Sequence, residues 1–124
     1  MIAADTSALS AYVAGQPGRD VVHLAEALSS GQLRLPPVVI TELLSDPSGG
    51  NVLGPIISDI AILEITDGYW HRAGETRRVL KAKGLKAKVA DALIAQSCID
   101  HDVALITRDA DFRHFVKYCG LKLA

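Results

Sequence analysis

Residues 1–13, MIAADTSALSAYV, hold a strand, a turn and a helix in one short run. Residues 1 to 4 are apolar, Asp5-Thr6-Ser7 follows at once, and Leu9, Tyr12 and Val13 recur at helical spacing until Gly15 and Pro17 end the pattern. The alternation continues outward. Asp20 to Ser30 keeps a 3.6 period, with Asp20 read as N-cap and Gly31 as the stop, and Leu33 to Leu35 reads as a short strand. Pro36-Pro37 opens a helical run, Val38 to Leu44, that carries Glu42 and closes at Asp46-Pro47. The tract Ser45 to Asn51 (SDPSGGN) is a loop too short to link domains, and residues 52 to 59 form a further short helix.

Ile60 to Ile65 is a compact apolar strand candidate, and Asp67 starts a polar amphipathic helix that runs to about Lys83. Val89 to Asp100 is apolar around most of its circumference, as expected of a helix packed on two sides. Val103 to Ile106 then reads as strand, Asp109 to Tyr118 as a short helix and Leu121 to Leu123 as a last strand fragment. Strands alternating with helices predict an α/β fold, a three-layer α/β/α sandwich around a mainly parallel sheet, in one domain spanning 1–124. Ligands of such sheets bind beyond the carboxyl ends of the strands, where strand order reverses.

The composition agrees. Of 124 residues, 49% are hydrophobic and 22% charged, which excludes a disordered chain, and the net charge of -1 excludes a protein coated in basic residues. No apolar stretch approaches the ~20 residues of a membrane helix. Cys98 and Cys119 lie in no CxxC motif and have no histidine at metal-ligand spacing, so they read as idle thiols. With no basic, apolar leader at the N-terminus, the chain is expected to be cytoplasmic.

The acids carry the chemistry. Asp5 ends the first strand, while Asp109 and Asp111 follow the strand that ends at Ile106, so right-handed crossovers place all three on one edge. Asp91 opens the apolar helix and shares a face with Ile94, Ala95 and Cys98, and Glu42 sits in the apolar run Val38-Leu44, where a carboxylate needs a partner. Converging carboxylates without bases between them repel one another, and a divalent cation bound through oxygen relieves the repulsion. Hard ligands select Mg²⁺ or Mn²⁺, and zinc is disfavoured because none of His23, His71, His101 or His114 pairs with a second ligand at zinc spacing. Phosphodiester hydrolysis is the chemistry such a centre serves best. The plainer reading is that Asp5 and Asp109 cap helices and Asp91 favours a helix dipole. Asp20, Asp46, Asp59, Asp67, Asp100 and Asp102 read as caps or solvated surface.

Charge is unevenly spread. Residues 71–88 hold Arg72, Arg77, Arg78, Lys81, Lys83, Lys86 and Lys88 against Glu75, a local +6 that leaves -7 elsewhere. A basic helix leading into an acidic pocket suits a polyanion held near the metal, with Arg72, Arg77, Arg78, Lys81, Lys86 and Lys88 as candidate contacts. A solvated helix face is the alternative.

On four segments the chain resembles the PIN-domain family, and within it the VapC-type ribonuclease toxins of bacterial and archaeal toxin-antitoxin pairs. They are Asp5-Thr6-Ser7, Pro37-Val38-Val39-Ile40-Thr41-Glu42-Leu43, Val89-Ala90-Asp91-Ala92-Leu93-Ile94-Ala95 and Thr107-Arg108-Asp109-Ala110-Asp111-Phe112. Each motif is weak alone and specific in this order. The resemblance implies a metal-dependent endoribonuclease with Asp5, Asp91 and Asp109 as metal ligands, and Glu42 and Asp111 as direct or water-mediated ones. Thr107, with Ser7, would orient water or a carboxylate. It also implies a homodimer, a structured RNA substrate such as transfer RNA, and a cognate VapB-like antitoxin whose C-terminal segment covers the pocket, often with an arginine among the acids. A non-catalytic PIN-like module that binds RNA or a partner stays open, as does, less favoured, a receiver-like phosphoacceptor. A haloacid-dehalogenase would need DxD where Asp5-Thr6-Ser7 stands.

Overall fold

The computed structural model describes residues 1–48 and 50–124; Gly49, inside the expected SDPSGGN loop, lies outside the described residues. Four strands, β1 (Ile2–Ala4), β2 (Leu33–Leu35), β3 (Ala61–Ile62) and β4 (Ala104–Ile106), form one parallel sheet in the order β3-β2-β1-β4. Ile2 faces Leu33 on one side and Ala104 on the other, which makes β1 the central strand and fixes its register twice. The fragment at Leu121 to Leu123 adds a single parallel bridge, Leu105 to Leu123.

The strands are joined through α1 (Thr6–Val13), α2 (Arg19–Ser29), α3 (Pro37–Leu44), α4 (Gly50–Ser58), α5 (Tyr69–Ala82) and α6 (Val89–His101), and α7 (Arg113–Cys119) follows β4 after a short 3-10 turn, Ala110–Phe112. Right-handed crossovers put the helices of the outward steps β1 to β2 to β3 and those of the return to β4 on opposite faces, giving the three layers. The core between them includes Leu9, Leu24, Leu35, Val39, Leu80, Ile94, Leu105, Phe112 and Phe115, all essentially without solvent contact. Each fully buried side chain of this size contributes about 1.5–3 kcal/mol. Because β1 hydrogen-bonds to β2 on one flank and β4 on the other, strand order reverses between β1 and β4, and their carboxyl ends lie side by side. The receiver-like alternative would need the order 2-1-3-4-5.

Several boundaries depart from the sequence reading. The strand expected over 60–65 shrinks to Ala61–Ile62 at the sheet edge, with both residues exposed. Ile60 and Leu63, on either side, supply the buried contacts. Gly18, not Asp20, is the N-cap of α2, and Gly68, not Asp67, that of α5. Asp100 is no solvated turn residue: it lies inside α6, its carboxylate held by Arg72, Gln96 and Thr66. Both cysteines are free thiols. Among the described residues, no helix is long and apolar enough to cross a membrane.

Candidate metal centre

The centre begins where β1 ends. Asp5 is the only fully buried charged side chain among the described residues, and such a carboxylate persists only if its lone pairs are satisfied. Oδ1 accepts from the Ala8 amide at 2.9 Å, which caps α1, and from the Ser7 hydroxyl at 2.8 Å; Oδ2 accepts from the Thr107 hydroxyl at 2.6 Å. The capping reading of Asp5 is therefore realised. Burial pushes its carboxyl above the ordinary range, with the charge of Asp109 adding and the hydrogen bonds from Thr107, Ala8 and Ser7 opposing.

Thr107, the first residue after β4, faces Asp5 because β1 and β4 are adjacent and in register. Its hydroxyl also accepts from the Asp109 amide at 3.0 Å, and Asp109 Oδ1 accepts from the Asp111 amide at 2.9 Å. This chain of short-range bonds turns the backbone so that Asp109 and Asp111 face the same side. Asp91 arrives from the first turn of α6. One carboxylate oxygen from each of Asp91, Asp109 and Asp111 lies within 4.8 Å of the others, all three side chains half-buried. Asp5 is not within that spacing, and Glu42, on α3, instead accepts from Thr6 Oγ1 at 2.8 Å.

The electrostatics divide the trio. The Asp91 carboxyl is pushed up to about 6, first by burial and next by the charge of Asp109, with Asp111 and Glu42 adding and Lys88 opposing. Asp111 moves the other way, held below the carboxylate range by Lys86, whose Nζ stands 3.0 Å from Oδ2. The expectation that no base stands among the acids is thus corrected: the loop between α5 and α6 delivers Lys86 to Asp111 and brings Lys88 close enough to act on Asp91. Three carboxylates against Lys86 and the nearby Lys88 still leave a net anionic cluster of hard oxygen donors, the donor set Mg²⁺ or Mn²⁺ takes.

The other bases have unequal fates. Arg72 is committed to the fold, donating to Asp100, Thr66 and the Asp67 carbonyl. Arg77 donates to the Ala87 carbonyl at 2.7 Å, which fastens the loop that carries Lys86 and Lys88, and Arg78 and Lys81 point to solvent. Thr6 escaped the sequence reading as the partner of Glu42, since no spacing rule links residues from separate helices. So did Arg108, whose position between Thr107 and Asp109 was the available signal.

Comparison with known proteins agrees with this architecture. The model of the PIN domain family matches residues 2–118. The chain is similar in structure to VapBC2 from Rickettsia felis, solved bound to a DNA fragment from its promoter, with a TM-score of 0.80 and 21% identity over 100% of this chain and 98% of that one. It is also similar to FitAcB from Neisseria gonorrhoeae, with a TM-score of 0.69 and 21% identity over 99% of this chain and 96% of that one. No curated protein matches the sequence.

Proposed function

Since the chain belongs to the PIN domain family, we propose that it is a Mg²⁺- or Mn²⁺-dependent endoribonuclease, the VapC-like toxin of a type II toxin-antitoxin pair. The observation that carries this reading is the meeting of Asp91, Asp109 and Asp111 within 4.8 Å at the point where strand order reverses. Metal ions there would activate water and neutralise charge on the attacking and leaving oxygens of a phosphodiester.

In this reading Asp91, Asp109 and Asp111 would hold the cation. Asp5, fixed by Ser7, Ala8 and Thr107, completes the negative field from behind, and Glu42 does so from α3. Asp91 must shed its proton before it can serve as a ligand, so metal uptake strengthens as pH rises through about 6. Lys86, paired with Asp111 at 3.0 Å, would be free to meet a substrate phosphate once Asp111 served as a metal ligand. Lys88, Arg78 and Lys81 are exposed bases that would meet further phosphates of the RNA backbone.

The same reading assigns a cytoplasmic homodimer, one domain per chain, with a VapB-like antitoxin as partner; the likeness to VapBC2 supports that partner. A guanidinium entering among the carboxylates would pair bidentately and compete with the metal. Calorimetric titration of Mn²⁺ into the wild type and Asp91→Asn, with cleavage of structured RNA in parallel, is the deciding experiment. The expected result is binding and cleavage by the wild type, with both lost in the variant. Equal Mn²⁺ binding by the two proteins would end the metal assignment.

A further inference from the structure

Arg108 lies between two residues of the acidic centre, yet its side chain turns away from them. The guanidinium spends its planar fork on the connection between α1 and α2: Nε and Nη2 donate to the Asp20 carboxylate, Nη1 to Gln16 Oε1 at 2.8 Å and Nη2 to the Pro17 carbonyl at 2.6 Å. Its backbone N–H donates to Ser7 Oγ at 2.9 Å, and Ser7 is one of the two hydroxyls that hold Asp5. Arg108 thus grips the start of α1 through its backbone and the segment beyond the end of α1 through its side chain.

A second observation points to the same contact. Gly18 adopts φ 146°, a conformation L side chains rarely take, and a Cβ there would stand 2.7 Å from Arg108 Nη2 and closer still to Asp20 Oδ1. The backbone has made room for the ion pair at a position that also starts α2. An exposed pair by itself adds little stability. Four donors on one rigid fork fix direction, a task a flexible lysine performs poorly.

We propose that Arg108 is a positioning residue for the metal centre: latched to Asp20, Gln16 and the Pro17 carbonyl, it holds the Thr107–Asp111 turn in the geometry that aims Asp109 and Asp111 at a cation, and Ser7 in the place from which it fixes Asp5 behind them. The proposal rests on the metal reading above. Support of this kind around metal ligands is typically worth 10–100-fold in affinity or activity.

The test is Mn²⁺ titration by calorimetry on wild type, Arg108→Met, Arg108→Lys, Asp20→Asn and the Arg108→Met/Asp20→Asn double variant, with amide exchange measured in the metal-free proteins. Arg108→Met and Asp20→Asn should each weaken Mn²⁺ binding about tenfold. Arg108→Lys should resemble Arg108→Met, and the double variant should be no worse than either single one, because both remove the same latch. The Arg108 and Asp109 amides should exchange faster in Asp20→Asn. Unchanged Mn²⁺ affinity in variants that only melt earlier would reduce the latch to a structural staple and overturn the proposal. Should the wild type take up no Mn²⁺, the metal reading fails by itself; unaltered protection of the two amides in Asp20→Asn would then refute the latch independently.

Discussion

Helix α6 carries an aspartate near each end, and the two live in opposite circumstances. Asp100 is met by Arg72 through two donors, by Gln96 at 2.8 Å and by Thr66, and these partners, Arg72 foremost, hold its carboxyl below the ordinary range. Asp91 is pushed up to about 6, first by its burial and then by the charges of Asp109, Asp111 and Glu42, with Lys88 opposing. The first is a solved electrostatic problem that joins α6 to α5. The second is an unsolved one, on a helix anchored in the core by Ala92, Ile94, Ala95 and Cys98. A fold keeps carboxylates in mutual repulsion only where the rest of the structure compensates, and such places are where chemistry is sought first.

The strongest way to break the contrast is Asp91→Asn, which keeps shape and removes charge. RNA cleavage should fall on the order of a hundredfold or more, as when other preorganised electrostatic groups are removed from active sites. In the absence of metal the variant should melt no earlier than the wild type near neutral pH. The sign follows from the raised carboxyl: the stability Asp91 contributes is fully present below its unfolded value of 3.8 and is lost as pH rises through about 6. Melting curves of the metal-free proteins should accordingly show the wild type losing ground to Asp91→Asn across that window. A constant gap from pH 3.5 to 7 would contradict it.

Asp100→Ala probes the satisfied end. It removes the two bonds that Arg72 makes to the carboxylate and leaves the half of the Gln96 amide that faced it without an acceptor, a loss of about 1–3 kcal/mol, so Tm should drop by several degrees. Cleavage per folded molecule should hold. The pH sign is reversed here: Asp100 stabilises above its unfolded value of 3.8 and less as pH falls through its lowered one. Cleavage falling as far as in Asp91→Asn, with no change in Tm, would mean that the roles of the two ends had been exchanged.

Smaller effects sharpen the boundary of the centre. Replacing Lys86 and Lys88 with glutamine should reduce the salt dependence of RNA affinity by a slope of about 0.7 for each phosphate no longer neutralised, while Mn²⁺ binding tightens because the competing cation has gone. An unchanged slope would leave these lysines as solvated surface. The mildest change is Asp102→Asn. Asp102 caps α6 in a left-handed turn and pairs with Lys122 where both side chains are largely exposed, so stability should shift by no more than about 0.5 kcal/mol. Asparagine tolerates the same φ.

The legible parts of the chain were those governed by local rules. Strand, turn and helix over residues 1–13 appear as β1 and α1, since an apolar start, a capping Asp5 and helical spacing all agree. Pro37 marks the first turn of α3, and β2 falls on Leu33–Leu35 as read. Asp20 was misplaced for the opposite reason. A capping aspartate and one in the first turn look alike in sequence, and only the arrival of Arg108 from the far end of the chain decides between them. The apolar run 60–65 misled because hydrophobicity alone does not distinguish a strand from a loop that drops Ile60 and Leu63 into the core.

By itself the sequence determined which acids stand at strand ends and helix starts, because a β-strand followed at once by a polar turn fixes where its last carboxylate can be. It also determined that bases cluster before α6. Tertiary structure alone decided which of those acids meet. The adjacency of β1 and β4 set Thr107 against Asp5, while the docking of α6 brought Asp91 to Asp109 and Asp111 and the loop before it brought Lys86. Such pairings join residues from distant parts of the chain, and no local propensity encodes them; they follow from strand order and from the register in which the layers pack.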